Sequence, residues 1–422
     1  MSMKAKIKSI LPDPILSFFR ICRDYRPSEV KKDLSVRKDI ERVRKKQHAN
    51  SKIKVAFIAQ MPEIWDKESP IYEAMLADQE FDPVLVAIPP CYDPENSTIN
   101  TEYGESNYFL EKYPSCIRAY NNGAWISLAN YNFDYVFLQR PYDHYLPNGF
   151  RSYDLVRFTK VCYIPYGFVG ADVFNGGNSD KTFFRNIYFS FLESEYMVDV
   201  LSKKFRTRSE RKNHKILNAG YPALIPYFSF DKTENLHTLM WTPRWSFDPV
   251  IGGSNFLNYK DCFIDTVKRY PDFRYIFRPH PLMFGEILNK GFMTQKEIDN
   301  YIAELEAIGV VYDKNTPLVE SLKSVDVLIT DFSTIIIQFF LTGRPIIYCE
   351  SCIELNKTYQ KMKKGMYLVN SNEDFIDSVS NISRKGDYLK STRDEIIRGG
   401  FGQHLNSINY ILNAIKNDYK ED

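Results

Sequence analysis

Residues 324–348 read SVDVLITDFSTIIIQFFLTGRPIIY, and this stretch decides the fold class. The runs at Val327–Thr330 and at 345–348 are short, apolar and partly β-branched, which is typical of strands buried in a parallel sheet. Between them, Ile335–Leu341 is an apolar, helix-compatible segment. The stretch therefore predicts a strand, a helix and a second strand, which is the repeating unit of α/β sheets.

Similar apolar runs recur on both sides of this stretch. In the amino-terminal half they lie at 53–59, 84–88, 135–138 and 161–164, with helix-compatible segments at 71–79 and 153–159. In the carboxy-terminal half they lie at 216–222, 239–241 and 273–277. Strands that alternate with helices in this way predict doubly wound α/β domains.

The length of the chain favours two such domains. Its 422 residues exceed what one hydrophobic core usually supports. We expect a basic arm at 1–51, one Rossmann-like domain at 52–215, a second at 216–400, and a helix at 401–422 that packs back on the first domain. A polar, basic stretch at 202–215 marks the boundary. Ligands in α/β sheets bind beyond the carboxyl ends of the strands, so we expect a cleft there.

Charge is unevenly distributed along the chain. Residues 1–54 contain sixteen Lys and Arg against six Asp and Glu, so this arm carries +10 and the remainder −8. Apolar and basic residues mix within the arm, which suits an anionic membrane surface, although Pro12 and Pro14 interrupt a continuous helix. A solvated tail and a helix packed on the body are the alternatives. No recognition motif accompanies the arm, so we expect no nucleic-acid partner.

The cysteines and the apolar segments indicate the compartment. Seven cysteines are scattered without paired zinc spacing, and Cys349 and Cys352 form a lone C-x-x-C, so reduced thiols are expected. No run reaches the roughly 18 to 20 apolar residues that span a bilayer, and no signal-peptide core opens the sequence. We therefore expect a cytoplasmic protein, with peripheral contact to the inner face of the cell membrane through residues 1–50 as a further hypothesis.

Polar clusters follow two of the predicted strands of the second half. The first cluster is WTPRW at 241–245, where Arg244 could hold phosphate oxygens with Thr242 beside it. A salt-bridging surface arginine is the alternative for Arg244. The second cluster is FRPHP at 277–281, whose two prolines stiffen the loop. His280 could donate a hydrogen bond to a phosphate oxygen and Arg278 could offset its charge, the alternative being a histidine that caps a strand.

The third cluster is TDFST at 330–334, where a predicted strand opens directly into a helix. Asp331, Ser333 and Thr334 therefore stand at the positive end of that helix, where unpaired backbone N–H groups favour phosphate. Capping of the helix by these side chains is compatible with this function. The three clusters together predict a site for a nucleotide diphosphate.

In this order, TPRW, RPHP and the 324–348 stretch resemble the signature of the CDP-glycerol glycerophosphotransferase family. The resemblance covers about 216–350. It implies a GT-B fold, with two Rossmann-like doubly wound domains facing across a cleft, and transfer of glycerol phosphate from CDP-glycerol to a teichoic-acid or capsule-like polymer with release of CMP. It also implies that His280 is the essential histidine of the R-x-H-P motif, that Ser333 and Thr334 contact the donor phosphates, and that Arg244 stands in the phosphate-facing loop.

The chain departs from the family pattern in its first half. Family members carry a W-H-G-like segment whose histidine is the expected base, whereas this chain has IPYGF at 164–168. Tyr166 takes the place of that histidine. A tyrosine whose pKa is about 10 is a poor base at neutral pH. Asp143, His144 and Asp172, on nearby predicted loops, are the alternative proton acceptors.

Further departures concern the donor. Gln338 stands where the family commonly has an acidic residue, which related enzymes use to hold the donor ribose. The GYPA segment at 220–223 lacks the arginine usual after that proline. These differences indicate a divergent branch, so CDP-ribitol or a nucleotide sugar is an alternative to CDP-glycerol.

The chain contains no Asp-x-Asp pair that could clamp a metal on the diphosphate, so donor binding without a metal or cofactor is expected. The acceptor is expected to be a polymer or a lipid-linked molecule. Two other functions stay open, a nucleotide-sugar glycosyltransferase of capsule or lipopolysaccharide synthesis and a non-catalytic scaffold of a polymer-assembly complex.

Overall fold

The computed structural model describes residues 27–45, 51–90, 92–93, 98–205, 213–231, 236–314 and 316–421. These residues fall into two compact units. The first unit consists of the described parts of Met1–Tyr166, Gly177–Gly220 and Ile408–Asp422. The second consists of those of Gly167–Gly176 and Tyr221–Ser407.

The first unit is built on a seven-stranded parallel sheet. In chain order its elements are α1 (Pro27–Arg44), β1 (Ile53–Ala59), α2 (Ser69–Ala77), β2 (Phe81–Ala87), β3 (Tyr92–Asp93), β4 (Thr98–Ile99), α3 (Asn107–Lys112), β5 (Ile117–Arg118), β6 (Tyr120–Asn121), β7 (Ala124–Trp125), β8 (Tyr135–Leu138), α4 (Ser152–Leu155), β9 (Lys160–Tyr163), α5 (Lys181–Phe184), β10 (Phe189–Leu192), α6 (Glu195–Ser202) and β11 (Lys215–Asn218). The strand order is β11-β10-β9-β8-β1-β2-β5, so the order reverses between β1 and β8.

The second unit is built on a six-stranded parallel sheet. Its elements are β12 (Thr238–Thr242), α7 (Phe256–Arg269), β13 (Arg274–Phe277), α8 (Met283–Lys290), α9 (Gln295–Ala307), β14 (Val311–Tyr312), α10 (Leu318–Lys323), β15 (Val327–Thr330), α11 (Ile335–Leu341), β16 (Ile346–Cys349), α12 (Lys357–Lys363), β17 (Tyr367–Val369), α13 (Asn372–Lys385) and α14 (Lys390–Gly400). The strand order is β14-β13-β12-β15-β16-β17, so this order reverses between β12 and β15. The last helix, α15 (Ser407–Glu421), lies almost wholly in the first unit.

The central strands are buried on both faces, which is why they read as continuous apolar runs. All residues of β8, β9, β10, β15 and β16 are buried. In the second unit, Trp241 of β12 is surrounded by the rings of Phe256, Phe263 and Phe277. The predicted class, two doubly wound α/β domains with parallel sheets, is confirmed.

The chain passes between the units at other points than the sequence suggests. The run at 216–218, expected to open the second domain, is β11 and completes the first sheet by pairing with β10. The basic stretch at 202–215, of which 206–212 lie outside the described residues, joins α6 to β11 within the first unit. Gly167–Gly176, expected in the first domain, belongs to the second unit. A boundary drawn from composition cannot detect such an exchange of segments.

Helix α15 is held in the first unit by one buried carboxylate. Asp418 Oδ2 accepts hydrogen bonds from Lys160 Nζ at 2.5 Å and from the Tyr135 hydroxyl at 2.7 Å. Its Oδ1 accepts from Lys215 Nζ at 2.5 Å and from the Tyr188 hydroxyl at 2.6 Å. Burial opposes ionisation of Asp418, but the two lysines and Tyr188 outweigh it and lower the pKa of the carboxyl.

The amino-terminal helix α1 also lies against the first unit. Its Glu29 and Asp33 pair with Arg185 and Lys181, at 2.5 Å and 3.0 Å. Residues 1–26, which hold much of the pattern expected to meet a membrane, lie outside the described residues. Among the described residues, no helix combines the length and apolar character needed to cross a bilayer.

We predict that Asp418→Asn strongly destabilises the first unit, because it leaves two lysine ammonium groups without their buried counter-ion. The expected loss of unfolding free energy at pH 7 is about 3–5 kcal/mol. Because the folded-state pKa of Asp418 is lowered, its contribution is present above the unfolded-state pKa and is lost as the pH falls through the folded-state pKa. Urea unfolding at several pH values measures this.

The matched control is Lys416→Ala on the same helix. Lys416 pairs with Asp78 and Glu80 near the surface. Lys416→Ala should lower the free energy of unfolding clearly less than Asp418→Asn, because exposed ion pairs contribute little to stability. Equal losses for the two variants would contradict the assignment of Asp418 as the main anchor of α15.

Candidate functional site

Three clusters lie at the carboxyl ends of the neighbouring strands β13, β12 and β15. Backbone hydrogen bonds join the first two, from Arg278 N–H to the Trp241 carbonyl at 2.9 Å and from His280 N–H to the Pro243 carbonyl at 3.1 Å. The Arg244 N–H donates to Asp331 Oδ2 at 2.9 Å, and this hydrogen bond joins the first cluster to the third. The clusters expected from the sequence therefore form one contiguous edge, which includes the switch point between β12 and β15 where α/β sheets bind ligands.

Asp331 organises this edge from inside the protein. The residue is fully buried, and its Oδ2 accepts hydrogen bonds from Arg244 N–H, from Ser254 Oγ–H at 3.3 Å and from Asn255 N–H at 3.2 Å. Burial raises the pKa of its carboxyl to about 6. The sequence placed Asp331 among the donor-binding residues. Its Oδ2 is directed at the segment that joins β12 to α7, while its buried Oδ1 accepts no hydrogen bond from the described residues.

Arg244 and Thr242 are also largely engaged by protein. Arg244 is buried, donates from Nη1 to the Phe332 carbonyl at 2.6 Å, and its guanidinium lies 5.4 Å from the centre of the Phe332 ring. Burial lowers the pKa of Arg244. Thr242 donates its hydroxyl to the Ile329 carbonyl at 3.4 Å. Arg244 therefore brings positive charge to the edge while fixing the loop of the third cluster.

The tautomer of His280 follows from its local contacts. The Leu282 N–H donates to His280 Nδ1 at 3.2 Å, so in the neutral ring the proton lies on Nε2. The residue keeps an exposed edge. Desolvation by its neighbours, followed by the charge of Arg244, lowers the pKa of the imidazole below its ordinary value. His280 at neutral pH is therefore an uncharged hydrogen-bond donor through Nε2.

Arg278 is oriented by an ion pair that the sequence did not reveal. Its Nη1 donates to Asp313 Oδ2 at 2.6 Å, and the Ser321 hydroxyl donates to the same oxygen at 2.6 Å. Burial opposes ionisation of Asp313, but Ser321 and Arg278 outweigh it and lower its pKa. Asp313 stands 35 positions from Arg278, and no local pattern marks it as a partner.

Ser333, Thr334 and Gln338 present polar groups around the start of α11. Thr334 is exposed and its side chain makes no capping hydrogen bond, while Ser333 is half-buried. Gln338 Oε1 is buried and receives no hydrogen bond from the described residues. These three groups therefore keep hydrogen-bonding capacity that capping does not use.

Gly167–Gly176 covers part of this edge within the second unit. A side chain at Gly170 would approach the rings of Tyr359 and Phe332 to 2.8 and 2.9 Å, so only glycine fits there. Phe174 stacks on Phe332 with the ring centres 6.0 Å apart. Asp172, one of the alternative bases, is an exposed residue of this segment and so belongs to the second unit.

In the first unit, Tyr166 lies beyond β9, and its hydroxyl is 2.8 Å from that of Tyr142, beyond β8. Burial and this neighbour raise the pKa of Tyr166 further, so it is no base at neutral pH. Both carboxylate oxygens of Asp143 accept hydrogen bonds from Ser152, at 2.7 Å each. His144 is exposed and its ring centre lies 4.1 Å from that of Tyr145.

The sequence did not single out Tyr142, nor the buried neighbours Lys67 and Glu68 at the same end of the first sheet. Charged residues next to each other ordinarily indicate a surface loop, so no sequence signal marked them. Among the residues that the structure describes, no group of His, Cys, Asp and Glu is placed to hold a metal ion.

A comparison with protein families identifies part of the chain. Residues 267–396 match the model of the CDP-glycerol:poly(glycerophosphate) glycerophosphotransferases. The match includes the His280 loop, Asp331–Thr334 and α11, whereas the TPRW cluster precedes it. Residues 267–396 are thus similar to a segment of these transferases. The resemblance expected from the motifs is thereby confirmed. A sequence comparison with curated proteins found no match.

Solved structures with the same architecture include nucleotide-binding enzymes. The UDP-GlcNAc 2-epimerase from Neisseria meningitidis, bound to UDP-GlcNAc, has a TM-score of 0.58 at 11% identity and covers 87% of this chain and 100% of its own. The UDP-GlcNAc 2-epimerase from Methanocaldococcus jannaschii has a TM-score of 0.54 at 14% identity, over 86% and 99%. The wall teichoic acid polymerase TagF, soaked with CDPG, has a TM-score of 0.50 at 12% identity, over 96% and 98%. Identities this low establish the fold alone, and the predicted GT-B fold is confirmed.

We predict that the imidazole of His280 titrates below the ordinary histidine pKa of about 6.5. The causes are partial desolvation by its neighbours and the charge of Arg244. NMR titration of histidine ring protons, assigned with His280→Gln, measures this pKa. Arg244→Met should move it upward, and a His280 pKa above the ordinary value would contradict the neutral donor.

Proposed function

We propose that this chain transfers glycerol phosphate, or a related polyol phosphate, from a CDP-linked donor to a cell-surface polymer and releases CMP. The observation that carries the proposal is the family match, which spans the His280 loop and Ser333–Thr334. The structure places these two groups at the carboxyl ends of strands in one parallel sheet. The family is one of transferases, so the chain is assigned as a transferase.

In the proposed reaction, an acceptor hydroxyl oxygen attacks the distal phosphorus of the donor. The bond from that phosphorus to the bridging oxygen breaks, and CMP leaves with the electron pair. Ser333 and Thr334 hydroxyls bind donor phosphate oxygens, while the Nε2–H of His280 donates to the oxygen that gains charge. Arg244 and Arg278 contribute positive potential, although each is also held by protein contacts.

Gln338 completes the proposed donor site. No described protein group donates a hydrogen bond to its buried Oε1. This oxygen can therefore accept a hydrogen bond from a hydroxyl group of the CDP-linked substrate. Donor binding without metal or cofactor is part of the proposal, because the cations and hydroxyls named above are of the kind that bind a diphosphate. The proposal therefore includes activity that persists in the presence of a metal chelator.

The acceptor is assigned to the first unit, next to Tyr142 and Tyr166. Because the pKa of Tyr166 is raised, we propose that these hydroxyls bind the acceptor and do not remove its proton. The proton of the attacking hydroxyl passes to His144, whose imidazole is exposed. Of the other two candidate bases, Asp143 accepts hydrogen bonds from Ser152 on both oxygens, and Asp172 belongs to the second unit.

We also propose that α1 contributes to contact with an anionic membrane surface. Its acidic residues Glu29 and Asp33 face Arg185 and Lys181 of the first unit. Lys31 and Lys38, seven positions apart and therefore on one helix face, are exposed. The carboxylates of Glu29 and Asp33 therefore face the first unit, while the ammonium groups of Lys31 and Lys38 face solvent.

We expect the purified full chain to release CMP from CDP-glycerol and to add phosphoglycerol to a membrane-extract acceptor, measured by mass spectrometry. His280→Ala should lower kcat by about 10²–10³, the effect of removing one charge-stabilising donor. The matched control is His237→Ala, because His237 is an exposed histidine just before β12, at the opposite end of the strand.

If the chain turns over a nucleotide sugar but no CDP-linked donor, the proposed function is wrong and the chain is a glycosyltransferase. Full activity of His280→Ala in cells would favour a scaffold. Loss of activity with a chelator, restored by a divalent ion, would contradict donor binding without metal.

Charge reversal at Lys31 and Lys38 should weaken binding to vesicles that contain anionic lipid, because each basic residue near such a surface contributes about 1 kcal/mol. Co-sedimentation at two salt concentrations measures this. Glu substitutions at Lys268 and Lys323, exposed lysines of the second unit, are the control. An equal effect of both pairs would contradict a membrane face on α1.

A further inference from the structure

Lys67 and Glu68 form a fully buried ion pair in the first unit. They lie in the connection between β1 and α2, beside the β1/β8 switch point. The Lys67 ammonium is 3.3 Å from Glu68 Oε1. It also donates hydrogen bonds to the Gln139 carbonyl at 2.6 Å and to the Ile164 carbonyl at 2.7 Å. The ammonium thus has two hydrogen-bond acceptors and one counter-ion.

Stability is a weak reason for such a pair. Burying two charges costs several kcal/mol of desolvation, and apolar residues of similar volume often stabilise a protein as well or better. The position of the two carbonyls indicates another function. Gln139 is the first residue beyond β8, and Ile164 is the first beyond β9. Lys67 therefore bridges the carboxyl ends of two neighbouring strands and fixes the separation of the loops that follow.

Those loops carry the hydroxyl pair of the proposed acceptor side. Tyr142 follows β8 and Tyr166 follows β9, with their hydroxyl oxygens 2.8 Å apart. One hydroxyl donates to the other, so the hydrogen of the accepting tyrosine can be donated to a ligand. Gln139 Oε1 fixes the first loop further, by accepting from Gln60 N–H at 2.7 Å and Met61 N–H at 2.9 Å.

We propose that Lys67 is a positioning residue for the acceptor, and that the Tyr142–Tyr166 pair it aligns binds a hydroxyl group of a polyol-phosphate chain. The inference rests on the proposed function. Glu68 supplies the counter-charge of the ammonium, while the Gln139 and Ile164 carbonyls hold the ammonium in place. Without the bridge, the two loops lose their common support and the tyrosine hydroxyls separate.

The test compares three variants of the full chain. Lys67→Met/Glu68→Gln removes the bridge and leaves no unpaired buried charge. Glu68→Gln keeps both carbonyl bonds of Lys67. Lys160→Met is the matched control, because Lys160 is also a buried lysine in an ion pair, with Asp418, but it lies at the opposite end of β9.

The readouts are the KM for synthetic tri(glycerol phosphate) as acceptor, and the Kd for CDP, measured by calorimetry. We expect the double variant to raise the acceptor KM about tenfold or more while the Kd for CDP changes less than about twofold. Glu68→Gln and Lys160→Met should keep the acceptor KM, although Lys160→Met lowers the melting temperature. An unchanged acceptor KM in the double variant, or an equal rise in Lys160→Met, would overturn the proposal.

Hydrogen–deuterium exchange provides a readout that does not depend on turnover. Peptides that contain 139–142 and 164–166 should exchange faster in the double variant and remain protected in Lys160→Met. Unchanged exchange in both segments would reject the bridge. Absence of CMP release by the unmodified chain would instead contradict the proposed function, while the exchange result would still decide whether Lys67 supports these loops.

Discussion

One oxygen atom, Asp331 Oδ2, holds together the edge of the second unit that carries the candidate site. It accepts hydrogen bonds from both ends of the segment that joins β12 to α7, so it fixes Arg244 and the start of α7 relative to β15. His280 is joined in turn to the Arg244 loop through the Pro243 carbonyl. The arrangement of the whole edge thus depends on a carboxylate that is itself completely buried.

The two units use buried charges of opposite sign for the same purpose. In the second unit, a carboxylate gathers N–H and O–H donors from both ends of the segment that joins β12 to α7. In the first unit, the ammonium of Lys67 gathers carbonyls from neighbouring loops. Both groups lie beside the point where the strand order of their sheet reverses. A charged group with several directional partners supplies the rigidity that the sheet cannot supply there.

The sequence predicted those parts that depend on local apolar patterns. The runs at Ile53–Ala59, Tyr135–Leu138 and Val327–Thr330 are β1, β8 and β15 with the expected ends, and Ile335–Leu341 is α11. The motif clusters were predicted as neighbours, because parallel strands end at one edge. The contact of Arg278 with Asp313 and the contacts of Lys67 with Gln139 and Ile164 could not be predicted, because they join residues far apart in the sequence. The role of Asp331 could not be predicted either, because an aspartate at this position could contact a ligand or could hold neighbouring loops from inside the protein.

Helix α15 has a consequence for the order in which the chain folds during synthesis. The second unit needs only residues up to 407, so all of its segments have been made before Asp418 leaves the ribosome. Until then Lys160 lacks the carboxylate that neutralises it in the first sheet. We therefore expect the second unit to complete its folding before the first unit. The first unit completes its folding only when α15 packs on it.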